Sequence, residues 1–282
     1  ILTDVTGVQT CALPILSVVF GDIGTGKTSL SRMLVQELEK RGNMIFHIIL
    51  NPVYADEKQF MTSLVRNFDV DSLFGIDPSR ADILELRDAF ERFLIQKTLE
   101  ERQTVILIID EAQKLDLETL ETLRVLLNFE TNEFKLLQLV VLGQVELYTR
   151  LMSMANLMDR ISFKYTLNPL DAKETKDIIN YRIARAGYNS RMDLFLDDAI
   201  GEIYNYTRGY PRKITKLCHQ VLKELILQNK HAVYRTLVRQ VIEKEEQFRI
   251  SGLNVPPPGP FPAGGSWRFP GTAFQQGQHP LQ

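Results

Sequence analysis

The segment 21–28, Gly-Asp-Ile-Gly-Thr-Gly-Lys-Thr, has the residue types and spacing of a phosphate-binding loop, G-x-x-x-x-G-K-[ST]. Its glycines let the backbone curl so that N–H groups point at phosphate oxygens, and the dipole of a following helix adds to the attraction. We expect Lys27 to reach the β- and γ-phosphates of a nucleotide and the Thr28 hydroxyl to ligate Mg²⁺. The predicted nucleotide contacts in this loop are Gly21, Asp22, Ile23, Gly24, Thr25, Gly26, Lys27, Thr28 and Ser29.

Two adjacent carboxylates follow an apolar run farther along the chain. Val105–Ile109 reads Val-Ile-Leu-Ile-Ile and is followed by Asp110 and Glu111, the form of a Walker B motif. Asp110 would hold Mg²⁺ directly or through water, and Glu111 would polarise the water that attacks the γ-phosphate. Many strands end on such a pair, so the motif is weak alone; downstream of a phosphate-binding loop it becomes strong.

Alternating strands and helices must position these residues. The phosphate loop has the strand before it and the helix after it that the motif requires, which disfavours a chance glycine-rich turn. Strands that are apolar on both faces, alternating with amphipathic helices, indicate an α/β fold with a parallel sheet covered by helices. The predicted strands are 15–20, 44–50, 105–109 and 136–142, and the predicted helices are 28–41, 57–68, 80–101 and 116–129.

The pattern becomes purely helical after Leu167. Asp171–Glu174 fits a capping box, and Gly187 would end that helix. The further predicted helices are 197–207, one that Pro211 opens, and 233–248. Cys218 falls on the apolar stripe of the third helix, so we interpret it as a structural thiol.

The predicted organisation is a non-native leader over residues 1–14, an α/β nucleotide-binding domain over 15–167, a helical lid over 168–250 and a Pro/Gly-rich tail over 251–282. The leader resembles a translated library adapter; a genuine short leader is the alternative. No apolar run approaches the length of a membrane-spanning helix, and two cysteines are too few for a disulfide framework, so we expect a cytoplasmic protein, with partners linking it to the inner membrane as an open alternative. The formal net charge of −2 gives no global basic field for nucleic acid.

Several motifs together resemble the AAA+ ATPases, and within them the branch that includes general secretion pathway protein A and the ATPases of exopolysaccharide and exosortase loci. The family commonly has Gly-Gln-Pro-Glu-Leu where this chain has Gly143-Gln-Val-Glu-Leu147, and we expect that difference to affect only loop rigidity. The resemblance covers about residues 16–250. It is carried by Gly21–Thr28, Ile108–Gln113, Leu120–Glu130, Lys135–Leu147 and Gly209–Arg212.

The resemblance implies an ATP hydrolase that uses ATP and Mg²⁺ as a homo-oligomer. It places Gln144 at the sensor 1 position, where a polar side chain contacts the γ-phosphate or the attacking water, and Arg212 at the sensor 2 position of the lid. Arg160 matches the place of an arginine finger for a neighbouring subunit, with Arg150 as its competitor. Asn51, after the second strand, would hold Glu111 in check, or is simply a turn residue before proline.

Two functional hypotheses of different classes follow. The first is an ATPase that drives assembly or remodelling in a secretion or cell-envelope export system, with the proteins of that system as partners. The second is an ATP-dependent DNA-binding transposition regulator similar to the MuB/TniB type, suggested by a basic cluster at 208–216. A nucleotide switch that barely hydrolyses is disfavoured by Glu111, because such switches often lose that carboxylate.

Overall fold

The structure, a computed structural model, describes residues 15–131, 135–188, 190 and 192–253. The predicted leader over 1–14 and the tail beyond residue 253 lie outside the described residues. In the described part of the chain, no helix is both long enough and apolar enough to span a bilayer.

A five-stranded, all-parallel sheet with strand order β2-β3-β4-β1-β5 forms the centre of the first domain. Its strands are β1 Leu16–Gly21, β2 Met44–Ile49, β3 Thr104–Ile109, β4 Leu137–Gly143 and β5 Ile161–Leu167. The three central strands are buried almost throughout, because their Val, Ile and Leu side chains pack against helices on both faces. The carboxyl ends of neighbouring parallel strands meet at one edge of the sheet, and that edge carries the phosphate loop and both carboxylates.

The helices of the α/β part follow the predicted order with modest shifts at their ends. The predicted helix 80–101 is α-helical only to Ile95 and then makes a π-helical turn, Gln96–Glu100. A 3-10 turn, Ala112–Lys114, follows β3. The α-helices are α1 Lys27–Glu39, α2 Glu57–Asn67, α3 Val70–Phe74, α4 Ile83–Ile95, α5 Leu117–Leu126, α6 Val145–Met152 and α7 Ala155–Met158.

The sequence analysis missed β5 and the short helices α3, α6 and α7. β5 has the sequence Ile-Ser-Phe-Lys-Tyr-Thr-Leu, in which half-buried and exposed residues alternate. It lies at the edge of the sheet beside β1, where only one side of the strand pairs. A search for strands that are apolar on both faces cannot find such a strand, because its apolar residues occur at every second position.

The helical part comprises α8 Ala172–Arg185, α9 Asp197–Thr207, α10 Pro211–Leu227 and α11 Arg235–Leu253. The predicted capping box is present, with Asp171 and Glu174 each accepting from the other's backbone N–H. Gly187 follows α8 with φ at 90°, as a terminating glycine should, and Pro211 occupies the first turn of α10. Cys218 packs against the helical core, and burial raises the pKa of its thiol to about 12, which fits the predicted structural role.

Gly209 lies against the segment that leads from β5 into α8. It has φ at 74°, and a Cβ there would lie 1.8 Å from the Leu170 carbonyl oxygen. Its own carbonyl accepts a hydrogen bond of 2.9 Å from the Leu170 N–H. Two chain segments therefore cross at a distance that only glycine allows, just before α10 begins.

Candidate nucleotide-binding site

The phosphate loop leaves β1 and wraps onto the N-terminus of α1. Gly24 and Gly26 adopt φ values of 87° and 108°, which explains two of the glycines in the motif. The first glycine has a different reason, since a Cβ at Gly21 would lie 2.7 Å from the Thr25 hydroxyl oxygen and 3.0 Å from the Leu167 carbonyl oxygen. The Thr25 hydroxyl donates to the Asp22 carbonyl at 2.9 Å, which closes the loop on itself.

Lys27 is almost wholly buried within this loop. Its side-chain ammonium donates to the carbonyls of Gly21 at 2.7 Å and Asp22 at 2.9 Å. Burial lowers the pKa of Lys27, and the charges of Glu111 and Asp110 oppose that shift. A desolvated ammonium forms strong charge-assisted bonds with phosphate oxygens, which can take the place of the loop carbonyls.

Asp110 lies directly after β3 with only 1% of its surface exposed. Its Oδ2 accepts from the Ser31 hydroxyl at 3.3 Å, and its Oδ1 accepts from the backbone N–H of Glu111 at 2.9 Å. Ser31 is on α1, one turn after Thr28, so this contact holds the carboxylate against the start of that helix. The arrangement fixes a buried negative charge beside the phosphate loop.

Glu111 adopts a left-handed backbone conformation, with φ at 55°. A non-glycine residue pays roughly 1–2 kcal/mol for this region. The conformation turns the chain sharply out of β3 and into the 3-10 turn, and the Glu111 side chain lines the cleft beside Lys27. Glu111 Oε2 accepts from Gln113 Nε2 at 2.8 Å and lies 3.8 Å from Lys114 Nζ.

A cleft of about 860 Å³ runs from the phosphate loop to the face of the helical part. Ligand pockets commonly occupy this place, outside the carboxyl ends of parallel strands. The predicted residues that line it are Ile23, Gly24, Gly26, Lys27, Thr28, Ser29, Glu111, Gln144 and Arg212. Four predicted site residues do not line the cleft. They are the phosphate-loop residues Gly21, Asp22 and Thr25 and the metal-binding candidate Asp110.

The lining also contains residues that the sequence analysis missed, namely Arg182, Pro211, Thr215, Lys216 and His219. Three of them follow Arg212 at helical intervals of three, four and seven, so the same face of α10 presents them all. That spacing could have identified them once Arg212 was chosen. Arg182 comes from α8, and no local pattern in the sequence connects it with the cleft.

Two hydrogen bonds among the described residues join the helical part to the phosphate loop. The backbone N–H of Arg212, in the first turn of α10, donates to the Gly24 carbonyl at 3.2 Å. The Tyr210 hydroxyl donates to Asp22 Oδ2 at 2.9 Å, and this bond raises the pKa of the tyrosine. The helical part therefore rests on the loop through surface hydrogen bonds, with the Arg212 side chain in the cleft.

The two arginine-finger candidates both bind main-chain carbonyls of their own chain. Arg160 Nη1 donates to the Leu127 carbonyl at 3.0 Å, and Arg150 Nη1 donates to the Leu115 carbonyl. Arg160 directly precedes β5, so it lies at the amino ends of the strands, whereas the cleft lies at their carboxyl ends. The length of the strand separates the two by about 20 Å. It does not line its own chain's cleft, so its role toward a neighbouring subunit stays a prediction.

Asn51 is linked to Glu111 through the Lys114 side chain. Its side-chain oxygen accepts from Lys114 Nζ at 3.0 Å, and the same ammonium lies 3.8 Å from Glu111 Oε2. The proposed restraint on Glu111 would therefore act through Lys114. Asn51 itself is exposed on the loop after β2.

Comparison with known proteins gives consistent matches. Residues 15–151 match the model of an AAA domain. The chain is 31% identical over 215 residues to general secretion pathway protein A of Aeromonas hydrophila, a match that covers 76% of this chain and 37% of that protein. The chain thus spans little more than a third of the length of this relative.

Solved structures share the fold at low identity. The Aeropyrum pernix ORC2 protein matches with a TM-score of 0.59 and 16% identity, covering 84% of this chain and 63% of the ORC2 chain. The Thermotoga maritima RuvB Holliday junction branch migration motor matches with a TM-score of 0.54 and 19% identity, covering 82% of this chain and 61% of the RuvB chain. At these identities the likeness establishes the fold alone.

Proposed function

Because the chain belongs to the AAA ATPases similar to general secretion pathway protein A, we propose that it hydrolyses ATP in the cleft between the phosphate loop and α10. One observation carries the proposal. Lys27, Glu111, Gln144 and Arg212 arrive from four different elements and line a single cleft. This set supplies a phosphate-binding cation, a base for water and two polar groups for the γ-phosphate.

Each side chain has a distinct role in the proposed reaction. Lys27 would exchange its two loop carbonyls for phosphate oxygens, and Arg212 would add positive charge from the lid. Glu111 would accept a proton from the attacking water, which Gln144 would orient. Phosphoryl transfer is accelerated mainly by such positioning and charge stabilisation, because the protein does little covalent chemistry.

The residues present fit a magnesium ion. Asp110 supplies a buried carboxylate beside the start of α1, and Thr28 supplies a hydroxyl on the first turn of that helix, and Mg²⁺ prefers such oxygen ligands. When bound, the ion neutralises charge on the β- and γ-phosphates. Ser31 and the backbone N–H of Glu111 hold the Asp110 carboxylate in place for that role.

The proposal extends to assembly and pathway. We propose a homo-oligomer in which Arg160 of one chain serves the cleft of the next, with Arg150 as the competing candidate. The position of Arg160 at the amino end of β5 supports a contact in trans, since Arg160 does not line its own cleft. The relative's name supports a role in secretion. We extend the proposal to cell-envelope export, to partners from such a system and to a cytoplasmic location.

Phosphate release from ATP, measured over a range of chain concentrations, tests this function. We expect turnover that needs Mg²⁺, that disappears with EDTA and that rises per chain as the chains associate. Trans arginine fingers contribute about 10³–10⁵ in rate in related enzymes, so Arg160→Ala should remove the stimulation while Arg150→Ala keeps it. ATP that binds without any turnover would overturn the hydrolase proposal, and an equal rate per chain at all concentrations would overturn the shared site.

The DNA-binding alternative rests on the cluster of Arg208, Arg212, Lys213 and Lys216. Arg212 and Lys216 line the cleft, Lys216 also pairs with Glu245, and Lys213 lies over the Tyr210 ring. Two of the four cations therefore already serve the cleft, and one of these is paired with a carboxylate, so the contacts favour the first proposal. Two experiments separate these functions. Phosphate release is measured with and without duplex DNA or a peptidoglycan fragment, and binding of the chain to duplex DNA is measured in the presence of ATP at low and high salt. Only the DNA-binding alternative predicts binding to DNA that weakens as salt rises.

A further inference from the structure

Gln113 joins the ends of β3 and β4 beside the cleft by two hydrogen bonds from its side chain. We propose that Gln113 is a positioning residue, which fixes the Glu111 carboxylate relative to Gln144. The proposal rests on the proposed hydrolysis. It adds a residue that does not itself line the cleft.

The two bonds determine the orientation of the Gln113 amide. Its Oε1 accepts from the backbone N–H of Gln144 at 3.1 Å, and its Nε2 donates to Glu111 Oε2 at 2.8 Å. A backbone N–H can only donate and an ionised carboxylate can only accept, so the reversed amide would lose both bonds. The side chain is therefore a rigid spacer between the proposed base and the residue proposed to orient the water.

Glu111 needs such a restraint. Its side chain is one-third exposed, and its backbone lies two residues beyond β3 in a left-handed conformation, where β-sheet hydrogen bonds no longer guide it. Without the Gln113 donor, the nearest cation on the same turn is Lys114, whose ammonium lies 3.8 Å from Oε2 and also contacts Asn51. The Gln113 bond uses Oε2, and Oε1 has no hydrogen-bond partner among the described residues, so Oε1 can accept from water.

Charges from three elements face Glu111: Lys27 from α1, Lys114 from the 3-10 turn and Asp110 from the end of β3. A carboxylate placed at position 113 would add a second negative neighbour at hydrogen-bond distance. Such a neighbour would repel the Glu111 carboxylate and displace it from its present position. A change to glutamate and a change to an apolar residue therefore make different predictions.

The experiment compares Gln113→Leu and Gln113→Glu in the full chain. Gln113→Leu removes both bonds at similar volume, and we expect kcat for ATP to fall by about 10–100-fold with KM within about twofold, because a misplaced group costs rate more than binding. Gln113→Glu keeps the acceptor for the Gln144 N–H but loses the donor for Glu111. We expect its kcat to fall at least as far, because the new carboxylate also repels Glu111.

Single-turnover measurements in the Glu111→Gln background decide whether Gln113 acts through Glu111. If it does, adding Gln113→Leu changes the residual rate by less than about twofold, because residues that act as a unit are not additive. A full multiplicative loss, or a Gln113→Glu variant as active as the parent chain, would overturn the proposal and leave a purely structural tie between the strands. Thermal melting of each variant reports whether it folds.

Gln144→Ala is the matched control. It removes the side chain at the other end of the bridge but keeps the backbone N–H that Gln113 uses. Glu111 still needs to be held in this variant, so we expect the addition of Gln113→Leu to lower its rate further. Turnover by Glu111→Gln equal to that of the parent would instead defeat the proposed hydrolysis, while a dead Glu111→Gln beside a fully active Gln113→Leu would defeat only the inference about Gln113.

Discussion

The cleft has two walls of different character. The α/β wall is built from buried groups: Lys27 is 5% exposed and Asp110 is 1% exposed, and each is held by two hydrogen bonds. The lid wall presents mostly exposed or half-buried side chains of α8 and α10, and it meets the phosphate loop through the Tyr210–Asp22 bond and one backbone bond at Gly24. The first wall is prepared for phosphate before a ligand arrives, whereas two hydrogen bonds among the described residues hold the second wall to the loop.

Replacing the buried cation should have the largest effect. Lys27→Ala removes the ammonium that faces the phosphates, together with the hydrogen bonds that it donates to the loop carbonyls of Gly21 and Asp22. We expect ATP affinity and turnover each to fall by at least about 100-fold, since charge-assisted bonds in a desolvated site are the strong ones. Equilibrium nucleotide binding and phosphate release measure it. Lys40→Ala, which removes an exposed lysine paired with Glu37 at the end of α1, should change neither.

The close crossing at Gly209 should give the next largest effect. Gly209→Ala would place a Cβ 1.8 Å from the Leu170 carbonyl oxygen at a φ of 74°, so we expect the helical part to shift or the fold to lose about 2–4 kcal/mol. Gly187→Ala is the matched control, because Gly187 also has a positive φ, at 90°, but a Cβ there meets nothing within 4 Å. It should lose only about 1 kcal/mol. Thermal or urea unfolding compares the two, and equal losses would contradict a close crossing at Gly209.

An exposed arginine of the lid should have a smaller effect than Lys27. Arg212→Ala keeps the backbone N–H that bonds Gly24 and removes only the side chain in the cleft. We expect turnover to fall by about tenfold with the melting temperature unchanged, as for one charge-stabilising contact in a partly open site. Steady-state kinetics with ATP measure it. A loss as large as that of Lys27→Ala would remove the distinction between the walls.

The smallest effect is expected at the surface bond between the walls. Tyr210→Phe removes one exposed hydrogen bond to Asp22, so ATP affinity should change by no more than about twofold. The bond raises the pKa of Tyr210, so whatever it contributes is present below about pH 10, the ordinary tyrosine value, and is lost as the pH rises through the higher value in the folded chain. The difference in tyrosinate absorbance between the parent chain and Tyr210→Phe, followed as the pH rises, checks the direction of the pKa shift. A lowered pKa would contradict the contact.

The α/β wall could be predicted from the sequence far better than the lid wall. The phosphate loop is eight consecutive residues, and Asp110 and Glu111 end a strand that is apolar on both faces, so local pattern was sufficient for both. Arg182 reaches the cleft only because α8 packs against α10, and Gln113 matters only because β3 and β4 are neighbours. Those relations are set by tertiary packing, which no short stretch of sequence records.

Glu111 tests the central claim most directly, since it is the group that separates hydrolysis from mere nucleotide binding. Glu111→Gln keeps the side-chain volume and removes the base, and the same preparation can be assayed for ATP binding and for phosphate release. If Glu111 is the base, we expect Glu111→Gln to bind ATP within about threefold of the parent affinity and to turn over at least about 100-fold more slowly. Turnover equal to that of the parent chain would contradict it.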